Sequence, residues 1–227
     1  AQCLVGSEMC IRDRLYIALT WLVLMPARFR AMAKGYRKAS LALKALPTAL
    51  AAAFAAAGYF SAEVRDLYGL MIFIGLCVCT LADVALDVRF EVGGALFFTG
   101  HVVYVAALSQ YRVLSWWCLT VFVVALAGLW CFALRYRRHF PKPHLLAGVM
   151  IYVVALAALL AFSLPLPLLA PSARSTLAAL GAVTFVVSDM TLCHNLLLKR
   201  PSSCHFVSLG IYYMAQLLLA LSAFPPS

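Results

Sequence analysis

Long apolar runs alternate with short stretches of charge, proline and glycine along the whole chain. In order, the runs cover residues 15–27, 41–60, 67–86, 92–109, 113–134, 145–163, 175–198 and 206–224. The last seven each offer about 18 to 24 residues, enough at 1.5 Å rise per residue to cover a hydrocarbon core ~30 Å thick. The first, over 15–27, is too short to cross comfortably and is expected to be a truncated span. No long linker or tandem repeat interrupts the alternation. The pattern predicts an all-α integral membrane bundle of about eight transmembrane helices, forming a single domain over residues 15–227.

Composition leaves little room for another class. Hydrophobic residues make up 65% of the 227 positions, charged residues only 11%, and the mean hydropathy is +0.97. A soluble domain of this size has too little interior to hide that much apolar surface, so lipid must solvate most of it. The formal charge of +10 does not indicate a nucleic-acid partner, because the basic residues sit in short connections between apolar runs.

Those connections give the spans a direction. Arg28, Arg30, Lys34, Arg37 and Lys38 lie in the first connection, with Lys44 at the start of the next span. Arg89 lies in the third, Arg135, Arg137, Arg138 and Lys142 in the fifth, and Lys199 and Arg200 in the seventh. The even connections hold only Arg65, Arg112 and Arg174. By the positive-inside rule the odd connections are expected to be cytoplasmic and both termini outside. The expected setting is a bacterial cytoplasmic membrane or a eukaryotic endoplasmic reticulum membrane.

Residues 1–14 are set apart. Met9-Cys10-Ile11-Arg12-Asp13-Arg14 is what a transposase-end adapter of a sequencing library encodes, so this stretch is expected to be adapter read-through and not native.

With direction assigned, polar residues acquire a depth. Asp83 falls near the cytoplasmic end of the third run, with Asp87 one turn further on. His101 and Tyr104 lie on the fourth run, Asp189, His194 and Asn195 on the seventh, and Tyr212, Tyr213 and Gln216 on the eighth, all in the cytoplasmic half. Lys44 and Thr48 begin the second run on the same side. An ionisable side chain at such depth is costly unless it faces the bundle interior or water, so Asp83, Asp189 and His101 are expected to converge.

Each of these residues has two readings. Asp83 and Asp189 either tie helices together or do chemistry, and His101 is either a satisfied core histidine or a catalyst. Lys44 either snorkels to the interface or binds an anion, and Tyr212 and Tyr213 either form an aromatic belt or line a site. Asp87 and Glu91 are read as solvated residues at the start of a loop, and His139, His144 and His205 as loop residues without a specific role. The cysteines within spans (Cys77, Cys79, Cys118, Cys131 and Cys193) are read as small buried side chains, since no CxxC pair occurs. Only His101 and His194 lie within spans and no HExxH is present, so neither a metal nor another cofactor is expected.

The polar positions also carry a likeness. The stretch from Gly75 to Leu86 (GLCVCTLADVAL), followed by FFTGHVVY from Phe97 to Tyr104, resembles the GLxxSxxGDxxL and FxxGHxxY segments of the YhhN family. GAVTFVVSD, ending at Asp189, and YYMAQ, from Tyr212 to Gln216, are similar to that family's GAxxFxxSD and YYxAQ segments. Lys44-Ala45-Leu46-Pro47-Thr48 is similar to its KPxT-type element. Two departures stand out: Ala82 replaces the usual glycine before the first aspartate, and the proline is displaced by two positions.

The resemblance implies a lysoplasmalogenase-like hydrolase, which cleaves the vinyl ether bond of a lysophospholipid within the bilayer to a fatty aldehyde and a glycerophospho-base. That reaction needs a positioned acid to protonate the alkene carbon remote from oxygen, and a carboxylate to stabilise the resulting cation and guide water. Two carboxylates divide the same labour in glycoside hydrolysis. The expected catalytic residues are Asp83, Asp189 and His101, the two aspartates forming a pair in which one keeps its proton. Lys44, Tyr104, Tyr212 and Gln216 are expected to contact substrate. A small proton-coupled transporter and a non-catalytic structural protein are the competing functions. Against the transporter, no inverted repeat is evident and polar residues crowd one half of the bundle.

Overall fold

The computed structural model describes residues 14–61 and 65–224. Among the described residues eight helices are long and apolar enough to cross a membrane: α1 (Arg14–Ala33), α2 (Arg37–Ser61), α3 (Leu67–Val88), α4 (Phe90–Ser109), α5 (Trp116–Arg135), α6 (Pro143–Leu169), α7 (Ala173–Leu197) and α8 (Ser202–Ser222). The chain is an all-helical, multi-pass membrane bundle. Apart from α1 and α6, the helix ends follow the apolar runs to within about a turn.

α1 corrects the expected short first span. It reaches 20 residues because the helix runs on through Arg28 and Arg30 to Ala33. Hydropathy stops at the first arginine and assigns it to a loop, but Arg28 is buried. Leu19–Leu24 within α1 is wound as a π-helix. The stretch read as adapter lies, except for Arg14, outside the described residues. α6 runs past its expected end by way of Pro165, which interrupts the ladder before a last turn at Leu166–Leu169.

Packing is closest between α3 and α4 and between α7 and α8, each pair joined by a short connection. α2 bridges the two pairs, α6 lies against α4 and α7, and α5 packs mainly on α6, leaving Trp116, Trp117, Leu119 and Val124 exposed. Apolar side chains gain little by leaving lipid for one another, so close backbone approach carries much of the association. The contact faces are accordingly small: Ala51, Ala52 and Ala55 on α2, Ala178 and Ala182 on α7, and Ala215 on α8 are all buried. Two glycines permit approaches that a side chain would block. A Cβ at Gly93 would lie 2.3 Å from Leu86 Cα across the α3–α4 turn, and one at Gly75 would lie 2.3 Å from the Tyr104 ring.

Side-chain contacts place the odd connections at one end of the bundle. Arg28 and Lys44 reach Asp87, His144 reaches Glu91, the Phe29 ring meets Phe206, and the Tyr136 ring meets His194. At the opposite end Arg174 pairs with Asp66, and Tyr68 stacks edge-on against Tyr111. The first group joins connections rich in lysine and arginine, which makes that end the basic one.

Candidate active site

The basic half of the bundle begins with a ladder between α2 and α3. These helices run in opposite directions, so a step of four residues along each keeps partners level. Thr48 Oγ1 donates to Asp83 Oδ2 at 2.6 Å, and one turn nearer the basic end Lys44 Nζ donates to Asp87 Oδ1 at 2.6 Å. Pro47, inside α2, brings no N–H to the helix. Tyrosine hydroxyls from two neighbours brace the same turn: Tyr213 donates to the Lys44 carbonyl at 2.7 Å and Tyr16 to the Pro47 carbonyl at 3.1 Å. The turn that carries Lys44 and Thr48 is thus held from both sides.

Asp83 is buried and accepts a second hydroxyl, from Tyr212 of α8, at 3.0 Å on the same oxygen. Two hydroxyl donors on one carboxyl oxygen suit an anion. Asp87 accepts from Arg28 Nη2 at 3.1 Å as well as from Lys44. Asp87 was expected to be solvated; its side chain is indeed about one-third exposed, but the two cations it pairs are almost wholly buried. Glu91 matches its expected exposure, pairing with His144 at the surface at 3.1 Å.

A second carboxyl group lies on α7. Asp189 Oδ2 accepts the Tyr152 hydroxyl of α6 at 2.6 Å and stands 3.6 Å from His101 Nε2 of α4. His101 Nδ1 lies 2.6 Å from the Phe97 carbonyl. A carbonyl brings no proton, so Nδ1 must carry one, and in the neutral imidazole Nε2 is then a bare lone pair. A bare Nε2 and an ionised carboxylate repel at this distance. The contact is favourable with one further proton, held either by Asp189 or by His101.

Phe185 touches one partner of each aspartate. The Phe185 ring is 4.5 Å from the His101 ring and 5.5 Å from the Tyr212 ring. Among the described residues no hydrogen bond or ion pair joins Asp83 to Asp189; each is bonded to its own tyrosine. Tyr104 donates to Gln216 Oε1 at 3.0 Å and lies 3.7 Å from Cys79 Sγ. His101 Nε2 and Gln216 Nε2 are buried without a hydrogen-bond partner among the described residues. Unsatisfied buried polar atoms are rare and often mark a functional site. Among the described residues no group of three His, Cys, Asp or Glu side chains is placed to hold a metal.

Reasoning from sequence missed three residues here. Arg28 was counted as loop charge and Asp87 as a solvated loop residue, yet they bond to each other. Tyr152 was passed over, although a tyrosine amid an apolar run carries a hydroxyl that must find a partner when buried. His194 and Asn195, at similar depth to Asp189 in sequence, turn elsewhere: His194 faces Tyr136, and Asn195 donates to the Cys204 carbonyl at 3.0 Å.

The model of the YhhN family matches residues 39–223. The chain belongs to the YhhN family. That stretch takes in both YhhN-like aspartates, His101, Tyr104, Tyr152 and the α2–α3 ladder, whereas Arg28 and the rest of α1 precede it. No solved structure matches the chain.

Proposed function

We propose that the chain hydrolyses the vinyl ether bond of lysoplasmalogens, releasing a fatty aldehyde and a glycerophospho-base. YhhN membership supports the class. The observation that carries the reading is the 3.6 Å approach of Asp189 to His101 Nε2, a contact that calls for one further proton, with Phe185 linking the His101 ring to the Tyr212 ring whose hydroxyl bonds the second aspartate, Asp83.

The chemistry follows from that inventory. The Asp189–His101 pair delivers its proton to the alkene carbon remote from oxygen. The π electrons form the new C–H bond, and the positive charge is shared between the adjacent carbon and the ether oxygen. Asp83 stabilises that charge as an anion, and water then adds to the cationic carbon and passes its extra proton to a carboxylate. The hemiacetal expels the glycerol oxygen, which leaves with a proton as the alcohol, while the former vinyl carbons become the aldehyde. One acid and one base in unlike surroundings are what this sequence needs, and the two unlike aspartate settings supply them.

A place for the hydrocarbon chain lies beside the pair. An apolar crevice of about 480 Å³ is lined by Phe98, Val102, Trp130, Met150, Ile151 and Val154. Val102 and Ile151 are chain neighbours of His101 and Tyr152, so the crevice follows the helices that carry His101 and the tyrosine bonded to Asp189.

Purified protein is expected to release aldehyde from a 1-alkenyl lysophospholipid and to leave the 1-acyl ester intact. Asp83→Asn and Asp189→Asn are each expected to abolish release while the melting temperature in detergent shows folded protein. Near-normal turnover in both variants would remove the reading.

A further inference from the structure

We infer that Arg28 and Lys44, bridged by Asp87, form the site for the phosphodiester of the substrate headgroup. The inference rests on the vinyl ether reading and names the part of the substrate that the basic end recognises.

Cations crowd this rung and guanidinium donors are left unused. Arg28 and Lys44 are 8% and 5% exposed and share one carboxylate, Asp87. Two buried cations contact one anion at this rung, and a further carboxylate, Asp83, stands one turn away and is bonded to Thr48 and Tyr212. A phosphodiester brings a second negative charge into contact with the two cations. Arg28 donates only Nη2 to a described partner, and its Nε is buried with none. A planar guanidinium with a free edge is shaped to grip two phosphate oxygens. Asp87 is the most exposed of the three, about one-third open, so the two cations are approached from its side.

Position supports the same conclusion. The Lys44–Asp87 rung stands one helical turn from the Thr48–Asp83 rung, a rise of about 6 Å. That is roughly the reach of the glycerol link between an ether oxygen and its phosphate. The phosphate therefore lies toward the basic end while the ether oxygen lies level with Asp83. Arg28 comes from α1, which precedes the residues that the YhhN model matches.

Two measurements test the site separately from the cleavage. In the first, a non-cleavable 1-alkyl lysophospholipid, the headgroup-free 1-alkylglycerol and inorganic phosphate are each added to the intact protein in detergent, and the melting temperature is followed. The alkyl lysophospholipid is expected to raise it in wild type and to lose that effect in Arg28→Gln and Lys44→Gln, with the response to alkylglycerol unchanged. In the second, KM for the alkenyl lysophospholipid is expected to rise about tenfold in Arg28→Gln, with kcat and the cleavage of 1-alkenylglycerol unaltered. Arg28→Lys, which keeps the charge but not the fork, is expected to fall between. An equal response of both lipids to Arg28→Gln overturns the site, as does a rise with inorganic phosphate equal to that with the lipid. If no aldehyde forms from any substrate but the binding difference persists, the cleavage reading fails and the headgroup site stands.

Discussion

The two ends of the bundle each bury an arginine beside an aspartate, and they use it in opposite ways. At the opposite end Arg174 donates every nitrogen: Nε to the Ser222 carbonyl at 2.8 Å, Nη1 and Nη2 to Asp66, and Nη2 also to the Ala223 carbonyl at 3.0 Å. Its guanidinium lies 4.4 Å from the centre of the Tyr68 ring, and Tyr68 in turn bonds Ser222. α3, α7 and α8 are clamped together, with every nitrogen of the guanidinium engaged and four of its five N–H groups donated. At the basic end Arg28 donates one nitrogen, Lys44 competes for the same carboxylate, and an N–H is left over. A saturated arginine is a structural element; one with spare donors is poised for something outside the protein.

The contrast is broken most forcefully at Arg174. Arg174→Met leaves the Ser222 and Ala223 carbonyls and the Asp66 carboxylate without their donor and removes the cation from Tyr68. Breaking a buried pair costs about 3–5 kcal/mol, and with Asp66 partly open to solvent the expected loss is nearer ~2–3 kcal/mol. Melting in detergent is expected to fall clearly, with turnover per folded molecule unchanged. Arg28→Gln should show the reverse, with melting nearly unchanged and KM raised. If the two variants lose stability alike, Arg28 is only another clamp.

Gly75→Leu is expected to come next in size. The new side chain would overlap the Tyr104 ring, which is fully buried and has nowhere to retreat. Overpacking of this kind costs about 1–3 kcal/mol. It would also pull Tyr104 from Gln216, so aldehyde release should drop along with the melting temperature.

What sequence could foresee here depended on whether a residue announces its own cost. Asp83, Asp189 and His101 are ionisable groups inside apolar runs, and the energy of placing them there points inward whatever the fold. Counting residues along each run also put Thr48 and Lys44 at the same end of the bundle as Asp83 and Asp87, the partners they bond. Arg28 gave no such signal, because an arginine after an apolar run looks like a loop charge until Asp87 is seen opposite it. The pairing of Asp189 with Tyr152, and not with Asp83, depends on which helices are neighbours, and periodicity within one helix carries no record of that. Phe185 was invisible for the same reason: a phenylalanine in a span is ordinary until it is found touching one partner of each aspartate.

Tyr152→Phe sharpens the comparison at the proton site. It removes one hydroxyl, donated at 2.6 Å to Asp189, and leaves the ring in place against His101. One hydrogen bond to a charged group is worth about 1.5–3 kcal/mol, so if Asp189 acts with His101 the rate of aldehyde release should fall about tenfold or more. Headgroup affinity, read from the alkyl lysophospholipid melting response, should not move, because Tyr152 lies on α6, away from the Lys44–Asp87 rung.

The smallest effect belongs to pH at the clamp. Burial pushes the Asp66 carboxyl up, but the Arg174 fork and the Gly69 amide at 2.9 Å outweigh it and hold the group below the usual carboxylate range. A carboxylate lowered on folding adds stability that is fully present above its unfolded value of about 3.9 and is lost as pH falls through the folded one. Melting in detergent should therefore soften as pH drops below about 4. Asp66→Asn should start from a lower melting temperature and lose less of it over that interval. A softening that vanishes in Asp66→Asn belongs to the clamp, and one that persists in full in the variant removes the clamp as its source.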